Sequence, residues 1–251
     1  MAKILYVVLP CYNEEEVLPE TSIQIKAIIL RLIKSKKISE DSKVCFVDDG
    51  SSDKTWKLIK KLTEEDRIFL GIKLSRNKGH QNAVLAGILS VKDRCDAVIT
   101  MDADLQDDIN VIEKFVDEFK NGSDVVYGVK SKRKTDPFFK RFAAESYYKI
   151  MKKMGVDIIY NHADCRLMSK RVINHLENFK EVNLFLRGII PLIGYQSSTV
   201  TYEITKRSAG KSKYTFKKML SLAVDGITSF SIKPLRMITT LGITIFGISI
   251  A

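Results

Sequence analysis

The chain contains neither a G-x-G-x-x-G fingerprint nor a C-x-x-C pair. The first absence argues against a dinucleotide-binding motif. The second leaves four scattered cysteines, Cys11, Cys45, Cys95 and Cys165, with no metal-ligand spacing. Free buried thiols in a reducing compartment follow from that pattern. Gly210, Lys211 and Ser212 resemble the end of a phosphate loop, but Thr205 stands where the first glycine is required. The apolar run at the N-terminus stops at Pro10, too short and wrongly flanked for a signal peptide. Repeats and low-complexity tracts are absent. The uncharged run Met237 to Ala251 falls short of the about 20 residues a membrane span needs.

What is present is ample core material and an excess of positive charge. At 251 residues and 45% hydrophobic, the chain suits one large domain or one and a half. Its 41 Lys+Arg against 30 Asp+Glu give +11, which points to an anionic partner: nucleic acid, a membrane surface or a phosphorylated small molecule. In the first half, apolar strands alternate with amphipathic helices. Strands are expected at Ile4–Pro10, in KVCFVDD, IFLGIKLS and DAVITMD, and in SDVVYGV. Helices are expected over Ile23–Ile33, after SSDKT, from about Gln81, and over Val111–Lys120. Such alternation predicts an α/β fold, a mainly parallel sheet with helices on both faces.

The polar signals PCYNEE, DDGSSD, SRNKGH and DADLQDD each follow a strand. In open α/β sheets ligands bind beyond the carboxyl ends of the strands, so four such loops predict one shared site. Asp102 and Asp104 lie two apart, and an extended chain would put both on one face. Closely spaced carboxylates need a compensating charge, and hard cations such as Mg²⁺ take carboxylate and phosphate oxygens together. A solvated acidic loop is the plainer explanation, against which the company of three other polar strand ends weighs. In VDDGSSD, Asp48 and Asp49 point to opposite sides, so one faces the ligand, while GSSD reads as a turn and helix cap.

In order and spacing, PCYNEEE, VDDGSSDKT, LSRNKGHQNAVLAGI, DADLQD and DCRLMSKR resemble the motif series of glycosyltransferase family 2, from about Leu9 to Tyr214. The likeness is greatest to its polyprenyl-phosphate branch, which includes dolichyl-phosphate mannose synthase and bactoprenol glucosyltransferases. The resemblance implies a GT-A (Rossmann-like) fold, a nucleotide-sugar donor (UDP-linked rather than GDP-linked), Mg²⁺ or Mn²⁺, and inversion at the anomeric carbon. It places Pro10, Tyr12, Asn13, Glu14, Lys78 and Gly79 around the nucleotide sugar, with Asp49 reading the base. Asp102, Asp104 and Gln106 would hold the metal and donor diphosphate. Asp164 occupies the neighbourhood of a catalytic carboxylate, as base or as positioner. A phosphomonoester acceptor with a second pKa around 6 is largely dianionic at neutral pH, so a base is not required. His80 is expected to make a donor-loop hydrogen bond, and Trp56 to pack in the core.

Two basic clusters stand out. From Lys130 to Lys153 there are nine Lys/Arg against two acids, and from Lys206 to Lys218 six and none. The resemblance gives Arg207, Ser212 and Lys213 contacts to the diphosphate or acceptor phosphate, with Lys130, Arg133 and Arg141 as weaker acceptor-phosphate candidates. Phe216, Met219, Leu220, Ala223, Ile227 and Phe230 then recur at helical spacing between basic flanks, as in a helix lying in a membrane interface. The expected organisation is a catalytic domain over 1–215, an amphipathic juxtamembrane helix over 216–236 and the start of a transmembrane helix over 237–251. The enzyme would then act on polyprenyl phosphate (undecaprenyl phosphate in a bacterium) at the cytoplasmic face of the inner membrane, with homo-oligomerisation left open. The rivals are a family 2 transferase with a sugar-hydroxyl acceptor, and a basic membrane- or nucleic-acid-binding module. The module leaves the acidic strand ends unexplained, and salt-sensitive nucleic-acid binding would be electrostatics without specificity.

Overall fold

The computed structural model describes residues 2–131, 162–180, 184–203 and 233–250, in two compact units. The first unit comprises Met1–Lys132, Asn161–Lys180 and Ile193–Lys211. It carries a seven-stranded sheet: β1 (Leu5–Cys11), β2 (Lys43–Asp48), β3 (Phe69–Lys73), β4 (Ala97–Thr100), β5 (Val125–Lys130), β6 (His162–Ser169) and β7 (Ser197–Tyr202). The spatial order is β3-β2-β1-β4-β6-β5-β7. All pairs are parallel except the two that β6 makes, with β4 and β5. The fold is therefore α/β with a mostly parallel sheet, as the alternation predicts.

Helices α1 (Leu18–Lys34), α2 (Thr55–Glu65), α3 (His80–Val91), α4 (Val111–Lys120) and α5 (Lys170–Leu176) belong to the same unit. Strand periodicity assigns them to faces. Leu5, Val7 and Leu9 of β1 share a core with Ile25 and Ile29 of α1, Ile59 of α2, and Ile112 and Phe115 of α4. Val8, on the other face, meets α3 at Gly87, where an added Cβ would lie 2.5 Å from Val8 Cγ1. Both faces are thus covered, which explains the unbroken apolar character of β1, β2 and β4. The observed α4 matches the expected bounds. Helix α1 starts five residues earlier than its apolar stripe suggests, with Pro19 in its first turn.

The chain runs outward from β1 to β2 and β3, then returns to place β4 on the other side of β1. The crevice beyond the carboxyl ends of β1 and β4 is a topological switch point, the usual ligand position in such sheets. Strands β6 and β7 were not anticipated from their residue pattern, and β6 inserts antiparallel between β4 and β5.

The second unit comprises Arg133–Tyr160, Glu181–Leu192 and Ser212–Ala251, of which α6 (Leu186–Leu192) and α7 (Lys233–Ile250) are described. On α7, Ile238, Leu241, Ile243, Ile245, Phe246, Ile248 and Ile250 are each more than half exposed. Thr240, Thr244 and Ser249 turn their hydroxyls back to the carbonyls of Arg236, Thr240 and Ile245. Among the described residues no helix is long and apolar enough to cross a membrane, so the expected C-terminal span is not seen as one. The amphipathic stretch at 216–230 lies outside the described residues.

Candidate active site

Two polar loops at the ends of β1 and β2 are zipped together. Asn13 N–H donates to Ser51 Oγ (3.0 Å) and Glu14 N–H to Thr55 Oγ1 (2.8 Å). In return, Asn13 Oδ1 accepts from Ser52 N–H (2.9 Å) and Glu15 Oε2 from Lys54 N–H (2.9 Å). Asn13 takes a left-handed φ of 52° to make these bonds, a conformation asparagine tolerates better than most residues. Asp53 accepts from Thr55 N–H, forming a turn just ahead of the helix, and ties back by accepting from Glu15 N–H. GSSD is therefore a turn as expected, while the helix's N-cap, Lys54, carries no side-chain cap bond. Tyr12 is 37% exposed beside this zip, and Pro10 lies within β1.

Asp49 is 3% exposed, and its two oxygens accept the backbone N–H groups of Lys78 (2.7 Å) and Gly79 (3.0 Å). It thereby fixes the loop between β3 and α3, using backbone donors of two other residues assigned to the nucleotide site. Asp48 is fully buried, with Oδ1 accepting from Ser51 N–H (3.2 Å). The two aspartates do face different partners, as strand geometry requires.

The DADLQ segment is not extended. Thr100 ends β4, Ala103 and Asp104 lie in a turn, and Leu105 takes a left-handed φ of 55°. Thr21 of α1 pins the turn by donating to Ala103 O (2.7 Å), and Asp104 Oδ1 accepts from Gln106 N–H (3.1 Å). The expectation that Asp102 and Asp104 share a face through an extended chain is therefore corrected: a hydrogen-bonded turn sets their placement. A non-glycine residue held left-handed at such a position is strained, as binding loops often are.

Across from β4, the antiparallel register ends on the pair Thr100 and Arg166. Thr100 Oγ1 donates to Asp164 O (2.8 Å). Arg166, 2% exposed, donates from Nη2 to Asp164 Oδ1 (2.8 Å). His80 opens α3 with Nε2 3.7 Å from Asp102 Oδ1 and 3.9 Å from Asp164 Oδ2. That nitrogen is buried and finds no hydrogen-bond partner among the described residues. The donor-loop hydrogen bond expected of His80 is not made by Nε2. Arg166 and Asp107 were given no role by the motif reading, and the i+2 spacing of Arg166 from Asp164 on one strand was the available signal.

The site carries excess negative charge. Burial, then the carboxylates of Asp164, Asp104 and Asp107, raise the Asp102 pKa from 3.8 to about 6, with His80 opposing. The side chain is 40% open to solvent, which weakens the contribution of burial while leaving the upward push of the neighbouring carboxylates. A folded-state pKa above the ordinary value means that ionised Asp102 disfavours folding at neutral pH. The penalty is relieved as pH falls through about 6 toward 4. Asp102→Asn is accordingly expected to raise the melting temperature at pH 7.5 without divalent cations. That gain should diminish as pH falls below about 6 and be nearly gone only near pH 4, measured by thermal unfolding across pH. An orphaned buried imidazole nitrogen beside carboxylates that resist joint ionisation fits a cation-accepting site. No preformed cage of three such ligands exists among the described residues, so any cation would complete its shell with ligand oxygens or water.

Lys130 ends β5 and stands 3.2 Å from Asp107 Oδ1. Arg133, Arg141, Arg207, Ser212 and Lys213 lie outside the described residues. All four cysteines are buried and free, as expected.

The family model described as glycosyl transferase family 2 matches residues 6–177. The uncharacterized glycosyltransferase YkoT of Bacillus subtilis (strain 168) is 52% identical over 246 residues, 98% of this chain and 73% of that protein. The bactoprenol glucosyl transferase of Shigella phage SfX is 38% identical over 243 residues, 96% of this chain and 77% of its own. Among solved structures, glucosyl-3-phosphoglycerate synthase from Mycobacterium tuberculosis with Mn²⁺, UDP and phosphoglyceric acid superposes with a TM-score of 0.57. That match has 14% identity and covers 88% of this chain and 75% of that one. Mannosyltransferase PcManGT from Pyrobaculum calidifontis, in complex with GDP-Man and Mn²⁺, gives 0.57 at 14% identity, covering 84% of this chain and 59% of its own. These two likenesses concern the GT-A-like fold.

Proposed function

Because the chain belongs to glycosyl transferase family 2, we propose that it transfers a hexose-type sugar from a UDP-sugar to a polyprenyl phosphate, with inversion, at the cytoplasmic face of a membrane. One observation supports the site: His80 Nε2 lies 3.7 Å from Asp102 Oδ1 and 3.9 Å from Asp164 Oδ2, near the turn that holds Asp104 and Gln106. The lipid acceptor is supported by the bactoprenol glucosyl transferases among the relatives, and UDP is preferred on the same ground. Membrane contact is supported by α7, whose apolar side chains are exposed and whose hydroxyls bond to their own backbone. A helix of that kind suits lipid better than water.

The displacement is in line: an acceptor phosphate oxygen attacks the anomeric carbon as the bond to the nucleoside diphosphate breaks. Mg²⁺ or Mn²⁺ held by Asp102, Asp104 and Gln106 would supply positive charge to the leaving diphosphate. The chain's own residues hold the geometry. Asp49 fixes the Lys78–Gly79 loop and keeps further lone pairs for a base N–H; Tyr12, Asn13 and Glu14 border the nucleotide, and Pro10 sets their strand end. Asp164, anchored by Arg166, orients the acceptor side, with Arg207, Ser212, Lys213, Arg133 and Arg141 as phosphate contacts. A dianionic phosphate brings its own nucleophilic charge, so Asp164 serves as positioner. Offered polyprenyl phosphate and a glycan hydroxyl together with labelled UDP-sugar, the protein should label the lipid. Label in the glycan alone would favour the hydroxyl-directed alternative.

A further inference from the structure

Asp107 follows the carboxylate turn directly, and its side chain is only 3% exposed. A buried carboxylate is costly unless a charge or donor compensates it. The compensation comes from outside the loop. Lys130, the last residue of β5, brings its ammonium 3.2 Å from Asp107 Oδ1. Lys130 is itself fixed: it pairs in register with Tyr202 of β7, and the next residue, Ser131, donates its N–H to Tyr202 O (2.9 Å). The Tyr202 ring crosses β5 at Gly128, where an added Cβ would lie 2.8 Å from Tyr202 Cε1 and 2.8 Å from Cys165 O. Only glycine leaves that passage open. Tyr202 is 3% exposed, and burial, then Cys165 and Asp107, hold its hydroxyl far above the ordinary phenol range. Asp107 thus lies against the paired ends of β5 and β7, while Thr21 pins the preceding turn at Ala103.

We propose that Lys130 and Asp107 form a positioning pair that sets the Asp102–Gln106 turn for cation and donor, so that Lys130 acts on the donor side of the site. This rests on the family 2 reading of the site. It reassigns a lysine whose place in a run of nine basic residues suggests an acceptor-phosphate contact. With its ammonium 3.2 Å from a buried carboxylate, Lys130 is ion-paired to the residue that follows the turn. Outer partners of metal-binding carboxylates alter cation affinity by roughly 10- to 100-fold.

The test uses the full chain in detergent, with Mn²⁺ affinity in the presence of UDP read by electron paramagnetic resonance. Lys130→Met and Asp107→Asn should each weaken Mn²⁺ by roughly 10- to 100-fold. The double variant should be no weaker than either single, and Lys130→Arg should lie within a few-fold of the unsubstituted protein. The KM for undecaprenyl phosphate should stay unchanged in every variant. Lys130→Arg and Asp107→Asn nearly conserve volume, and melting curves identify which variants are folded. A merely structural ion pair would lower the melting temperature yet leave the Mn²⁺ affinity of the folded fraction intact, and that result overturns the proposal. So does a rise in acceptor KM alone for Lys130→Met. If the unsubstituted protein binds neither Mn²⁺ nor UDP, the family 2 reading of the site fails first, and the pair's role with it.

Discussion

Asp104→Asn should abolish sugar transfer while leaving the fold intact. The side chain is 7% exposed, and its Oδ1 accepts the Gln106 N–H at 3.1 Å. Asparagine keeps the size and that acceptor oxygen, so the turn survives. What disappears is one negative charge at the place where a cation would meet the donor diphosphate. Removing a single group that stabilises charge developing in a transition state costs roughly a hundred- to thousandfold in turnover. The expected result is a loss of that order, with a melting temperature within a degree or two of the unsubstituted protein. Transfer assays and thermal unfolding on one preparation check both halves. Near-normal turnover would remove Asp104 from the site.

Gly50→Ala should do the reverse, harming fold and site together. Gly50 holds φ +69°, and a Cβ there would stand 2.5 Å from Arg76 C and 2.5 Å from Asn77 N. Those are backbone atoms, so no rotamer change relieves the clash. The left-handed conformation costs about 1–2 kcal/mol and forced overpacking about 1–3 kcal/mol more. The displaced segment leads into Lys78 and Gly79, whose N–H groups are held by Asp49. The variant should therefore lose several kcal/mol in chemical denaturation, and its folded fraction should bind UDP more weakly. Unchanged stability would mean that the two loops separate without cost.

Much of this was legible in the sequence. Strands that are apolar on both faces and end in Asn13–Glu14, Asp48–Asp49, Asn77–His80 and Asp102–Asp107 disclosed a buried parallel sheet with one functional edge. The bounds of α4 followed from its apolar period. The residue pattern did not disclose β6, because HADCRLMS mixes polar and apolar residues over a strand whose inner side chains include Asp164 and Arg166. Without its antiparallel register, Asp164 could be placed near Asp102 by family likeness alone. The loop-to-loop hydrogen bonds of Asn13, Glu15, Asp49 and Asp53 were likewise hidden, since they join residues about 30 to 40 positions apart. Lys130 illustrates the same limit: its sequence neighbours are basic, whereas its partner, Asp107, comes from another loop.

The most direct test of the account is label transfer from a panel of UDP- and GDP-sugars to undecaprenyl phosphate in detergent, with Mg²⁺ or Mn²⁺ and with Asp104→Asn alongside. The account predicts one UDP-sugar yielding a labelled lipid that needs the cation and is missing from the Asp104→Asn reaction. If no donor is consumed under any condition, or if sugar reaches only a glycan hydroxyl, the proposed reaction is contradicted.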